Sequence, residues 1–381
     1  MNGSIIGGAA MKVGVVTFHF VNNFGGVLQA YALQRMVAEQ CGVESIIINY
    51  KNWFIRFTDT VRLFPISLNR KEIIAGIKTM RDRFGRIRKF NEFINSDFNT
   101  SDFYANHIQI NAHPPRCDKY ICGSDQIWNP YLTMGVSPNY FLDFVKDPQQ
   151  KIAYAPSFGT EKISKRHIKK IKKYLETFGY LSVREKSGQE MIKEMIGRDA
   201  DRLIDPTFLI EKKVWEEIAI QPIKEEKYIL LYIMQHDEAV YKYAKKIKEQ
   251  MGLKLVEISR YGFKPDYVDV TLIDVGPREF LGLFRDAEYI CTNSYHGLAF
   301  SIIFEKNFCL IPCKRFKARI ENLLDLLQIE TDGNSWERLT ATYDREFVKQ
   351  TIAGEKEKAI DYLKRGLELN EEKQVNDRNC R

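Results

Sequence analysis

Short apolar runs alternate with helix-spaced segments along most of this chain, and that alternation leaves few folds open. Residues 12–18 (KVGVVTF) read as a buried strand, 27–40 repeat apolar residues at helical spacing, and 45–49 return as a second strand. Strands without polar alternation are buried on both faces, as in a parallel sheet covered by helices. The pattern recurs with strands at 120–122, 151–155 and 180–183, helices at 165–176 and 185–196, and 202–204 leading into Asp205-Pro206-Thr207. A second series opens at Tyr228 (YILLYIM), continuing with a helix over 238–251, a strand at 254–258 and a short helix at 279–285. A strand at 289–292, a helix at 298–304 and a strand at 308–311 close it, and a long polar helix after Asp344 is placed to fold back across both halves. These series predict an α/β protein of two Rossmann-like domains, over 11–215 and 225–345, with a C-terminal helix and tail over 346–381. A length of 381 residues, too great for one typical core, agrees.

Composition narrows the function classes. No apolar run approaches the ~20 residues of a spanning helix, and the opening MNGSIIGGAA lacks the basic start of an export signal. Residues 1–10 read as a loose extension, and a soluble cytoplasmic protein is expected. Seven cysteines read as reduced thiols, and none of the close pairs has zinc-knuckle spacing, so no metal site is expected. A formal charge of +7 without a finger, helix-turn-helix or RNP pattern argues against nucleic acid. It suits a polyanionic small substrate or an anionic membrane surface. Residues 53–90 form an insertion in the first half. Its aromatic stretch (Trp53, Phe54, Phe57, Leu63, Phe64) precedes Arg70, Lys71, Lys78, Arg81, Arg83, Arg86, Arg88 and Lys89, opposed by Glu72 and Asp82. This reads either as a lid or peripheral inner-membrane surface, or as a solvated helix face beside a packed loop.

Three turns past strand ends carry chemistry-bearing residues. Asn23, Gly25 and Gly26 form either a plain tight strand-to-helix turn or a site where backbone approaches a sugar ring or a helix N-terminus presents free N–H groups to a phosphate, without dinucleotide or P-loop spacing. Asp125 and Gln126 offer donors and acceptors for sugar hydroxyls, and Trp128 either offers a flat face for a sugar ring or packs in the core. Arg184 suits either a bidentate grip on a carboxylate or phosphate or a salt bridge with a neighbour. At Thr292-Asn293-Ser294-Tyr295-His296-Gly297 a strand ends, a polar turn follows, and His296 starts a helix that Gly297 lets pack closely. Histidine there suits proton transfer near neutral pH.

From about residue 12 to 320 the chain resembles the polysaccharide pyruvyl transferases. The resemblance rests on 23–30 (NFGGVLQA), 123–129 (GSDQIWN), 154–159 (YAPSFG), 182–185 (SVRE), 205–207 (DPT) and 293–297 (NSYHG). It implies a fold similar to the GT-B glycosyltransferases, with two domains facing a cleft. It also implies phosphoenolpyruvate as donor substrate, no cofactor, and a pyruvate ketal on a sugar of a bacterial surface polysaccharide or its lipid-linked precursor. The family's donor-binding histidine falls on His296 and a basic residue on Arg184, with Ser294, Tyr295 and Gly297 completing the donor turn. Asn23, Gly25, Gly26, Asp125, Gln126 and Trp128 fall on the acceptor side of the cleft. Characterised members resemble an Arg-x-His pattern at this turn, whereas Ser294 occupies the arginine position here. A nucleotide-sugar glycosyltransferase on the same fold and a non-catalytic carbohydrate-binding protein are the competing expectations.

Overall fold

The computed structural model describes residues 10–61, 77, 79–235, 237–259, 265–311, 317–330 and 343–369. Two parallel sheets divide them. The first has the order β2-β1-β3-β4, from β1 (Lys12–Val16), β2 (Glu44–Ile47), β3 (Lys119–Cys122) and β4 (Lys151–Ala153). Central β1 registers Val13 on Ser45 and Val15 on Ile121, with Val13, Val15 and Val16 wholly buried, as its unbroken apolar run requires. A bridge from Ile152 to Tyr180 brings the short pair β5 (Ser182–Val183) and β6 (Asp201–Arg202) to the β4 edge. The second sheet has the order β11-β10-β7-β8-β9, from β7 (Tyr228–Tyr232), β8 (Lys254–Ile258), β9 (Val270–Leu272), β10 (Tyr289–Thr292) and β11 (Asn307–Leu310).

Helices α1 (Phe24–Cys41), α2 (Trp53–Val61), α3 (Met80–Asp97), α4 (His107–Ala112), α5 (Lys165–Leu175) and α6 (Lys186–Ile196) belong to the first series. They are followed by α7 (Lys212–Ile218), α8 (Glu238–Met251), α9 (Pro277–Asp286), α10 (Tyr295–Ile303), α11 (Lys317–Leu326) and α12 (Arg345–Gly366). Two helices begin three residues earlier than apolar spacing predicts, because side chains cap them. Asn23 accepts from the N–H groups of Gly25 and Gly26 at the start of α1, and Ser294 accepts from Gly297 at the start of α10. α12 reaches both halves. Lys349 pairs with Glu305 at 3.1 Å near its start, and the Tyr362 hydroxyl donates to the Ala153 carbonyl at 2.8 Å near its end.

α3 changes the reading of the basic stretch. Phe90, Phe93 and Ile94 are buried, and its cationic side chains partly serve to bind the two halves together. Lys89 reaches the Asp274 carbonyl at 2.8 Å and Glu279 at 3.1 Å, while Arg86 lies 4.5 Å over the Phe24 ring. Arg83 is buried; Arg81 and Arg88 remain exposed. The solvated-face expectation for 53–90 is therefore replaced, for these inward residues, by an inter-half role. Leu63, Phe64, Arg70, Lys71, Glu72 and Lys78 lie outside the described residues, as do residues 1–9 of the expected extension. Among the described residues no helix is long and apolar enough to cross a membrane.

A further polar tie between the halves is Arg278, whose Nη2 meets both Asp97 carboxylate oxygens at 2.8 Å. Arg278→Ala should cost about 1.5–3 kcal/mol, the usual worth of hydrogen bonds to charged groups. Urea unfolding checks this through the transition midpoint, and an unchanged midpoint would show the tie to be dispensable.

Candidate functional site

The site forms where the loop after β1 meets the turn after β10. That turn is pinned from within. Thr292 Oγ1 donates to the Tyr232 carbonyl at 2.6 Å and accepts from the Ser294 N–H at 3.1 Å. Asn293 Nδ2 donates to the Gln235 carbonyl and its Oδ1 accepts from the Met234 N–H, both at 2.8 Å. A Cβ on Gly297 would stand 2.2 Å from Thr292 Oγ1, so only glycine allows α10 this close to its own strand. The result aims the N-terminus of α10, carrying Tyr295 and His296, at the first half. There His296 packs on the N-terminus of α1. A Cβ on Gly25 would lie 1.9 Å from His296 Nδ1, so a glycine at this point lets the two halves close.

Behind His296 lies a buried charge cluster. Asp205, wholly buried at the end of the segment after β6, forms an ion pair with Arg184 and stands 3.6 Å from His296 Nε2. Its other oxygen accepts from the Thr207 N–H at 3.0 Å and hydroxyl at 2.9 Å. Burial alone would raise the Asp205 carboxyl, but His296, Arg184 and the Thr207 N–H outweigh it and hold the acid well below the usual carboxylate range. Glu185 Oε1 accepts from Ser157 Oγ at 2.7 Å and from the Phe158 N–H at 3.1 Å, which ties the 154–159 segment to the Arg184 strand end. Asp125 sits at φ 70°, a backbone region that L side chains rarely adopt, 4.0 Å from Arg184 Nη2. Among the described residues Arg184 Nε has no hydrogen-bond acceptor, while Arg184 Nη2 and His296 Nε2 meet their carboxylates only at the longer ion-pair distances of 4.0 and 3.6 Å.

A cleft of about 360 Å³ opens in front of the cluster, within the range of small-ligand sites. The first half contributes Phe18, Asn23, Phe54, Asp125, Gln126 and Tyr131; the second contributes Met234, Ser294, Tyr295, His296 and Arg319. Of the residues expected there, Asn23, Asp125, Gln126, Ser294, Tyr295 and His296 come together at the cleft wall. Gly25, Gly26 and Gly297 act behind it, through helix packing and capping. Two expectations need correction. Trp128 does not reach the cleft: its ring stacks on Phe141 at 5.1 Å and its Nε1 donates to the Tyr140 carbonyl, so it is a core residue. Arg184 is not among the lining residues either, because Asp205 engages it and its guanidinium lies 4.6 Å over the Tyr295 ring.

A family model described as polysaccharide pyruvyl transferase matches residues 23–315. The chain belongs to the polysaccharide pyruvyl transferase family. No curated protein matches the sequence. Among solved structures, an S. aureus MnaA–UDP co-structure aligns with a TM-score of 0.50 at 9% identity, covering 95% of this chain and 98% of that one. A Methanocaldococcus jannaschii UDP-GlcNAc 2-epimerase in complex with UDP-GlcNAc and UDP aligns at 0.42, 12% identity, 90% of this chain and 99% of that one. A Streptomyces sp. SF2575 glycosyltransferase, SsfS6, complexed with thymidine diphosphate aligns at 0.41, 10% identity, 94% and 100%. The first likeness shows the fold: this pyruvyl transferase family member has two Rossmann-like halves facing a cleft, as GT-B-like sugar enzymes do.

Two site residues were not singled out in the sequence. Asp205 belongs to a quoted motif, yet its partners come from distant segments. Arg319 belongs to no quoted motif, and only the fold places it on the cleft, 5.8 Å over the Tyr295 ring. Burial, and then the neighbouring Arg184 charge, lower it to about 10, so it stays a cation at neutral pH. The polysaccharide pyruvyl transferase motifs at 23–30, 123–129, 154–159, 182–185, 205–207 and 293–297 thus converge on one cluster and its cleft. Gly25→Ala should displace the His296 ring, costing about 1–3 kcal/mol as an overpacked contact and lowering ligand affinity at the cleft. Calorimetric titration with inorganic phosphate reads the affinity, and unchanged binding would refute the contact's role.

Proposed function

We propose that this protein transfers a pyruvyl group from phosphoenolpyruvate to a sugar of a bacterial surface polysaccharide or its lipid-linked precursor, forming a ketal on the cytoplasmic side. The observation that carries this reading is the convergence of His296, two helix N-termini and the Arg319 cation on one cleft, a lining favourable to anions. A ligand bearing both a carboxylate and a phosphate suits such a site. Ser294 caps α10 instead of contributing charge, and Arg319 supplies a cation to the same cleft.

The chemistry needs a proton delivered to the methylene carbon while a sugar hydroxyl attacks the adjacent carbon. A second hydroxyl then closes the ring as the C–O bond to phosphate breaks, and inorganic phosphate leaves. His296 delivers the proton or steadies the departing phosphate, and Asp205 behind it orients the ring. Arg184, in place of a direct grip on the donor, holds Asp205 and thereby the His296 ring. Asp125 and Gln126 face the acceptor's hydroxyls. No cofactor takes part in this scheme.

The rival readings are a nucleotide-sugar glycosyltransferase on the same fold and a non-catalytic carbohydrate-binding protein. Ligand-induced stabilisation grows with the logarithm of concentration over the dissociation constant. Phosphoenolpyruvate should therefore raise the thermal midpoint where UDP- and GDP-sugars do not. Phosphate release should require a sugar acceptor. His296→Ala should lower the rate by about 10²-fold or more, the usual weight of a general acid–base group, whereas Arg319→Gln should chiefly raise the donor KM. Stabilisation by a nucleotide sugar alone would replace the reading, and a His296→Ala protein with full activity would remove His296 from the mechanism.

A further inference from the structure

The rim of the cleft carries exposed apolar groups and a dense positive face that pyruvyl transfer does not use. On one side is α2, where Phe54, Ile55 and Thr58 line the cleft while Trp53 and Phe57 are 61% and 59% exposed. On another is the loop whose Tyr131 and Leu132 line the cleft, with Tyr131 46% and Met134 65% exposed. That loop is fastened to α5. The Ser164 N–H donates to the Tyr131 hydroxyl at 3.2 Å, the Tyr131 ring meets His167 edge-on at 6.0 Å, and Lys170 Nζ donates to the Val136 carbonyl at 3.2 Å.

α5 reads KRHIKKIKKYL and contains no acidic residue. Its Ile171, Tyr174 and Leu175 are buried, whereas Lys165, Arg166, Lys169, Lys170, Lys172 and Lys173 are exposed. At ~100° per residue those six fall on one continuous side, opposite the buried stripe. Sequence reading places the basic surface at 70–90, but the inward residues of α3 bind the two halves together. The denser exposed face is on α5.

We propose that this rim docks on an anionic phospholipid surface, with the α5 cations at headgroup level and Trp53, Phe57 and Met134 in the interfacial layer. Cations alone would fit any polyanion. Exposed tryptophan and phenylalanine on the rim of the same cleft favour a lipid interface, where an apolar ring gains from burial while lysine stems keep their charges in water. Docking sets the cleft mouth against the bilayer, within reach of an acceptor carried on a lipid. The inference deepens the pyruvyl-transfer reading by naming the surface that presents the acceptor, but the binding needs no turnover.

Co-sedimentation of the full chain with phosphatidylglycerol–phosphatidylcholine vesicles tests it without donor or acceptor. The chain should sediment with the mixed vesicles, remain free with pure phosphatidylcholine, and be released as salt rises. Combined Lys165→Glu, Lys169→Glu and Lys173→Glu should cut the bound fraction about tenfold, and combined Trp53→Ser and Phe57→Ser should also weaken it, both with unchanged thermal midpoints. The same three lysines changed to glutamine give a milder set if the first lowers the midpoint. Wild-type chain that ignores phosphatidylglycerol, binding untouched by either lysine set, or binding to heparin without binding to vesicles would each overturn the proposal. Failure of phosphoenolpyruvate to bind would overturn the donor reading and leave the vesicle result standing.

Discussion

The two halves of this molecule close on the contact between Gly25 and the His296 ring. It is the point where the two halves meet at the cleft, and it joins the N-termini of α1 and α10 face to face. Next to it Phe24 stacks on Phe280 at 4.3 Å, so an aromatic contact and a glycine contact on successive residues close the same seam. Positive helix ends do not gather without compensation. Here the compensation is the buried Asp205, and an anionic donor in the cleft would add to it.

The charge cluster extends that logic. A buried carboxylate is costly unless paired and hydrogen-bonded, and Asp205 is held by Arg184, His296 and both polar groups of Thr207. Its Arg184 partner comes from the strand end at β5, and Glu185 beside it anchors the 154–159 segment. Segments far apart in sequence are thus set by one electrostatic arrangement.

Much of the architecture was legible in the sequence because strands buried on both faces leave unbroken apolar runs. The bounds expected for α8, β8 and β10 are those found. Helix starts at α1 and α10 were not, because Asn23 and Ser294 act through capping, which apolar periodicity does not register. α3 was obscured because its few buried side chains sit among many cations. In the site, Asp125, Gln126, Ser294, Tyr295 and His296 could be picked out by position at strand ends. Trp128 could not be placed, since proximity to a strand end does not say whether a ring turns toward cleft or core. Arg319 left no local signal: its importance comes entirely from where α11 packs.

The most direct measurement is a structure of the protein bound to phosphoenolpyruvate. An anionic group of the donor should lie against the His296 ring at the cleft wall, between the N-termini of α1 and α10, with Arg319 on its other side. Donor bound elsewhere in the molecule, or a nucleoside diphosphate held where phosphoenolpyruvate is not, would contradict it.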